Sequence, residues 1–158
     1  MSDAFILYID RLKGGAVQKL GIILSPEFFD IHESDLVFQD PVEVSGEAYL
    51  AEEELVIHLS ASTVARMPCS ICNQMLPCSL AIKNFYHTEQ LSSIKTGLFD
   101  LREPLREALL TELPKTIECP GGCKERETIA PFLKKHPEAP NTPDALDTYF
   151  PFSDLKYP

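Results

Sequence analysis

Two short stretches constrain this chain most: "MPCSICNQMLPC", residues 67–78, and "IECPGGCKE", residues 117–125. Each carries a closely spaced thiol pair, Cys69 with Cys72 and Cys119 with Cys123. A tetrahedral metal site draws its thiolates from two such turns, so a shared site forces the fold to return residues 119–123 to residues 69–72. The first pair has the common two-residue gap and the second a gap of three, also inside the usual range. Gly121 and Gly122 permit a backbone tight enough for both sulfurs to face one ion. Asn73 tolerates the left-handed conformation that such a turn often needs behind it. The spacing therefore supports zinc on Cys69, Cys72, Cys119 and Cys123.

Two other readings of the thiols stay open. Four reduced cysteines can pack together as small apolar groups. A redox couple needs "CSIC" to open a helix after a strand, with something nearby to lower a thiol pKa, and the local sequence supplies neither. Cys78 reads as a core residue on the strand after the first pair.

The pattern around the thiols predicts mixed structure. "AFILYIDRL" reads as a strand broken by Gly14 and Gly15, with "VQKLGIIL" as its returning partner. "SPEFFDI" predicts one or two helical turns with Ser25 as N-cap and Pro26 at the first position, its phenylalanines entering the core. From Val42 to Leu59 apolar residues alternate around "AEEE", which predicts a hairpin or meander. "LPCSLAIKNFYH" resumes as a strand with Leu80, Ile82 and Tyr86 on one face, so the first thiol pair falls on a turn. In "FDLREPLREALLTELP" Leu101, Leu105, Ala108, Leu109 and Leu113 recur on one helical face. That helix starts at an Asp100 N-cap with Glu103 in the box position, or later with Pro104 first, and Pro114 ends it. The expected architecture is α+β: an antiparallel sheet or meander packed with one principal amphipathic helix and short helical turns, the thiol turns adjoining. The expected division is one domain over residues 1–135 and a proline-rich tail over 136–158, with "TIAPFLKKH" a short helix and Tyr149, Phe150 and Phe152 tucked onto the domain.

Composition narrows the class. At 158 residues and 44% hydrophobic content the chain can bury a core. Its longest apolar run, residues 4–9, cannot span a bilayer, and "NTP" puts Pro143 where a glycosylation sequon needs Ser or Thr. A soluble cytoplasmic protein is expected. Of the net charge of −10, residues 1–60 hold −9, with twelve acids against three bases. That part is unfit for nucleic-acid contact and suited to basic proteins. No phosphate loop, HExxH or Gly-x-Ser-x-Gly occurs, and His32, His58, His87 and His136 lack ligand spacing. His58 is expected to point outward on its strand and the others to lie at the surface. A catalytic role is not expected.

The order "PCSIC", "NFYH", "GLFDLREPLREALLTELPKTIECPGGC" and "YFPFSDL" resembles the YceD family, the large ribosomal RNA subunit accumulation proteins, over residues 44–155. The resemblance implies a non-enzymatic ribosome-biogenesis factor that supports accumulation of large-subunit ribosomal RNA. It places the family's thiol positions on Cys69, Cys72, Cys119 and Cys123, its helix start on Asp100 and Leu101, and its terminal element on Pro151, Phe152 and Leu155. Ser70 and Ile71 stand where an arginine is common in the family, and Lys124 and Glu125 where some members continue to a further Cys-Gly. The implied partner is ribosomal RNA or a large-subunit precursor, met directly or through a basic ribosomal protein. For direct RNA contact the candidates are Arg66, Lys83, Arg102, Arg106, Lys115, Lys124 and Arg126, which lie around the thiol turns and the helix. The alternative is an acidic protein-interaction module stapled by its cysteines or by zinc.

Overall fold

The computed structural model describes residues 5–132. It divides the chain into two compact units, residues 1–126 and 127–158. The first is α+β. A large antiparallel sheet is formed by β2 (Val17–Leu24), β3 (Val37–Phe38), β4 (Val42–Ala51), β5 (Glu54–Pro68) and β6 (Met75–Gln90). β5 is its spine: β4 and then the short β3 pair along one edge, and β6 pairs along the other. The expected β4–β5 hairpin is present, turning through Glu52, which takes a positive φ of 54°.

The alternation that made β5 legible sorts its side chains. Leu55, Ile57, Leu59, Ala61, Thr63 and Ala65 are buried, while the residues alternating with them face outward, His58 among them, stacked on Tyr86 at 4.1 Å. β6 keeps the same alternation only as far as Ile82. There the register shifts, so that Ser60 stands against both Lys83 and Asn84, and its hydroxyl donates to the Lys83 carbonyl at 2.5 Å. One extra residue in one strand is a β-bulge, and it moves every later side chain to the opposite face. Tyr86 therefore leaves the face of Leu80 and Ile82 and is exposed, and Phe85 takes the inner place. His87 follows Phe85 inward and is half-buried, 5.4 Å from the Phe99 ring, rather than on the surface.

The first strand differs from expectation. β1 (Ile6–Tyr8) does not pair with "VQKLGIIL"; it pairs antiparallel with β7 (Leu98–Asp100), and β2 pairs with β4. Between them α1 (Ile9–Leu12) turns the chain and buries Ile9 and Leu12. Residues Pro26–Phe29 form a single 3₁₀ turn with Pro26 at its start, burying Phe29 against Phe38. Ser25 contributes its carbonyl, which accepts the Phe28 N–H, and no side-chain cap.

The principal helix, α2 (Arg102–Thr111), buries Leu105 and Leu109 against the inner face of the sheet, with Leu101 buried just before it. Asp100 lies one residue before the helix cap at Leu101, and its carboxylate accepts the Arg102 N–H at 3.0 Å. Pro104 sits third, within the first turn where no intrahelical N–H bond is required. α3 (Arg126–Ile129) and a 3₁₀ turn over Ala130–Phe132 match the start of the expected short helix. Tyr149, Phe150, Phe152, Pro151, Leu155 and His136 lie outside the described residues. Among the described residues no helix is long and apolar enough to cross a membrane.

Candidate metal centre

Cys69 directly follows β5 and Cys72 lies in the tight turn that leads into β6. The turn is closed by Cys69 N–H donating to the Gln74 carbonyl at 2.8 Å and Asn73 N–H to the Cys69 carbonyl at 2.9 Å. Asn73 carries the reversal at a φ of 61°, the left-handed conformation that its short amide side chain tolerates. The second pair follows α2. The chain comes back beside the turn as an isolated parallel bridge between Cys69 and Ile117, with Ser70 N–H donating to the Ile117 carbonyl at 2.8 Å. Gly121 and Gly122 then adopt φ of 77° and 93°, and Gly122 N–H donates to the Cys119 carbonyl at 3.0 Å. Side chains with a Cβ resist both conformations, so the glycines are what folds Cys123 back beside Cys119.

These local features bring all four thiols together. Their sulfur atoms lie within 4.8 Å of one another, and Cys72 Sγ is 3.5 Å from Cys119 Sγ. Cys69 and Cys123 are buried, and Cys72 and Cys119 are partly exposed. With Leu76, Cys69 and Cys123 form a small core of their own, flanked by Ile71 and Ile117 and distinct from the main core. Such a group can hold a metal ion.

Peptide N–H groups prepare the cluster for negative charge. The Cys72 N–H, and less strongly those of Ile71 and Cys119, favour the Cys69 thiolate against its desolvation and lower its pKa to about 6. The Ile71 N–H lies 3.5 Å from that sulfur. The other sulfurs answer to the crowding. Its contact with Cys72 raises the Cys119 thiol to about 12, and desolvation acts the same way. The Glu125 N–H favours a Cys123 thiolate, but burial and the neighbouring Cys72 and Cys69 sulfurs push that thiol up. Without a cation the site resists carrying several thiolates at once; a bound dication reverses this preference, because coordinated thiols lose their protons.

The candidate RNA-contacting residues occupy separate places. Arg66 is on the outer face of β5 and Lys83 at the bulge of β6. Arg102 and Arg106 are on α2, Arg102 gripped by Asp100 through two donors and Arg106 donating its Nε to the Phe29 carbonyl at 2.8 Å. Lys115 and Lys124 are exposed on the segment that carries the second thiol pair, and Arg126 there is paired with Glu118. Lys115, Lys124 and Arg126 thus flank the second thiol pair along the chain, and Arg66 precedes the first.

Sequence reasoning did not single out one surface feature, an open cleft of about 870 Å³ bordered by Phe5, Phe28, Arg102 and Arg106 and by the carboxylates of Glu27, Asp30, Asp100 and Glu103. Its parallel Phe5–Phe28 stack, with centroids 5.3 Å apart, joins residues from two distant segments, so no local pattern announced it. Comparison with protein-family models, with curated proteins and with solved structures finds no match to this chain.

Proposed function

We propose that this protein is a non-enzymatic, zinc-stapled binding module that serves ribosome biogenesis by supporting accumulation of large-subunit ribosomal RNA. The observation that carries the first half is the meeting of four cysteine sulfurs within 4.8 Å. Thiolates at about 2.3 Å from a tetrahedral zinc ion lie about 3.8 Å from one another, close to the spacing here. Four protein ligands complete the shell of such an ion and leave no place for water or substrate, the arrangement of a structural site rather than a catalytic one. The ribosomal half rests on the resemblance of residues 44–155 to the YceD proteins. Cytoplasmic location and a partner among large-subunit precursors belong to the same proposal, with the exposed Lys115 and Lys124, on the segment of the second thiol pair, for RNA contact.

A second reading is favoured by the acidic cleft. Residues 1–60 hold −9 of the net charge, and Glu27 and Asp30 from that part line the cleft beside an aromatic floor. This surface suits a basic ribosomal or assembly protein.

Sedimentation of cell lysate on a sucrose gradient, with and without nuclease, tests both. Co-sedimentation with large-subunit precursors that nuclease abolishes supports direct RNA contact, and nuclease-resistant co-sedimentation supports protein-held docking. Absence from every ribosomal fraction overturns the ribosomal reading.

A further inference from the structure

The four thiols are not equivalent, and the difference is one of access. Cys69 is fully buried and Cys123 is 7% exposed, whereas Cys72 and Cys119 are partly open to solvent and are the pair in sulfur contact at 3.5 Å. They also come from different turns, one between β5 and β6 and the other after α2. We propose that the centre is a peroxide-responsive clasp in which Cys72 and Cys119 form a disulfide that expels the metal ion. The inference rests on the metal-centre reading above and adds its regulation.

Susceptibility of a cysteine to oxidation follows thiolate character and exposure. In the metal-loaded centre all four ligands are thiolates, so exposure selects Cys72 and Cys119. The oxidant is hydrogen peroxide. One of the two thiolates attacks a peroxide oxygen; the O–O bond breaks, hydroxide leaves and a sulfenic acid forms. The second thiolate then attacks that sulfur, the S–S bond forms, the S–O bond breaks and a second hydroxide leaves. Two electrons pass from the sulfurs to one peroxide, and two solvent protons turn the hydroxides into water. The ion is left with Cys69 and Cys123 and dissociates.

The topology gives this bond a consequence that a bond within either pair would lack. A disulfide between Cys69 and Cys72, or between Cys119 and Cys123, would leave the two turns free to part. One between Cys72 and Cys119 keeps the second loop on the first turn, with Cys69 and Cys123 still facing each other. Reduction then restores a site ready to take up metal again.

The test uses the full-length chain loaded with zinc, in the wild-type form and as Cys78→Ser, which removes the fifth thiol from the peptide that carries the first pair. Each is treated with hydrogen peroxide while released zinc is read with a chromogenic chelator. Remaining thiols are alkylated and the trypsin peptides 67–83 and 116–124 are sequenced by mass spectrometry. Expected are release of one zinc per chain, loss of two thiols, a bond joining the two peptides at Cys72 and Cys119 in both forms, and zinc uptake again after reduction. Zinc release with the peptides unjoined, or a bond confined to one peptide, overturns the clasp. If the chain takes up no zinc, the metal reading fails, and the metal-free chain still decides the thiol pairing: joined peptides uphold it and unjoined peptides overturn it.

Discussion

Gly46 stands opposite Leu59 in the β4–β5 pairing, on the inner face of the sheet. A Cβ there would meet the His58 carbonyl oxygen and lie 2.6 Å from Leu59 Cα, both backbone atoms of the neighbouring strand. Gly21, on β2, would meet nothing within 4 Å. The two glycines therefore answer to different physics. At Gly46 a methyl group must push strands apart, which costs about 1–3 kcal/mol. At Gly21 alanine removes the entropy cost of a strand glycine, worth about 0.5–1 kcal/mol. Chemical denaturation should show Gly46→Ala less stable than the wild type and Gly21→Ala equal or more stable. Matching shifts in the two variants would mean that close strand approach is not what holds Gly46.

At the scale of elements, the start of α2 is held by one carboxylate. Hydrogen bonding from the Arg102 side chain, aided by the Arg102 N–H and opposed by partial desolvation, keeps the Asp100 carboxyl below its ordinary value of about 3.9. A lowered folded-state value contributes stability that is present above the unfolded value and lost as pH falls through the folded one. The groups are well exposed, so the helix-start contact is worth about 1 kcal/mol and not more. Asp100→Ala should accordingly lose about that much at pH 7 and converge with the wild type once the pH falls below the lowered folded-state value of Asp100. A gap that persists in acid would trace the effect to something other than the carboxylate. The bulge in β6 supports another prediction. Deleting Asn84 removes the extra residue opposite Ser60 and leaves Phe85 against Leu59, so the variant should fold with Phe85 still inside. Deleting Ser79 instead shifts the intact alternation from Leu80 to Ile82 and should abolish the cooperative transition in thermal unfolding. Equal tolerance of the two deletions would contradict this register.

What could be read from the sequence follows from the range of each signal. The β4–β5 hairpin and α2 were legible because their apolar periods are local, and the thiol turns because Asn73, Gly121 and Gly122 are suited to the positive φ that they adopt. The pairing of β1 with β7 was not legible, since an apolar stretch does not specify its partner and the obvious neighbour, β2, had a better one in β4. Nor was the inward turn of Phe85 and His87, because a bulge leaves no mark in a strand whose alternation merely changes phase.

At the scale of the molecule, the described residues form one small core beside a large one. Leu55, Ile57, Leu59, Leu101, Leu105 and Leu109 belong to the main core, and among the described residues the thiol turns are packed by Cys69, Cys123, Leu76 and their few flanking residues. So little apolar surface does not by itself hold two loops together, whereas a structural zinc ion contributes on the order of 10 kcal/mol to small metal-folded peptides. The metal should thus govern the thiol turns and leave the sheet to its own packing. Native-state hydrogen exchange after chelation is the direct measure, since local opening free energies differ along a chain. The amides of Cys69, Ser70, Asn73 and Gly122, each bonded within or between these turns, should exchange at least about tenfold faster in the stripped protein. Amides in the β4–β5 pairing should be unchanged, and Cys69→Ser should reproduce the stripped pattern without chelator. Faster exchange throughout the sheet would make the two cores one cooperative unit, and unchanged exchange at the turns would mean that packing alone gathers the four sulfurs.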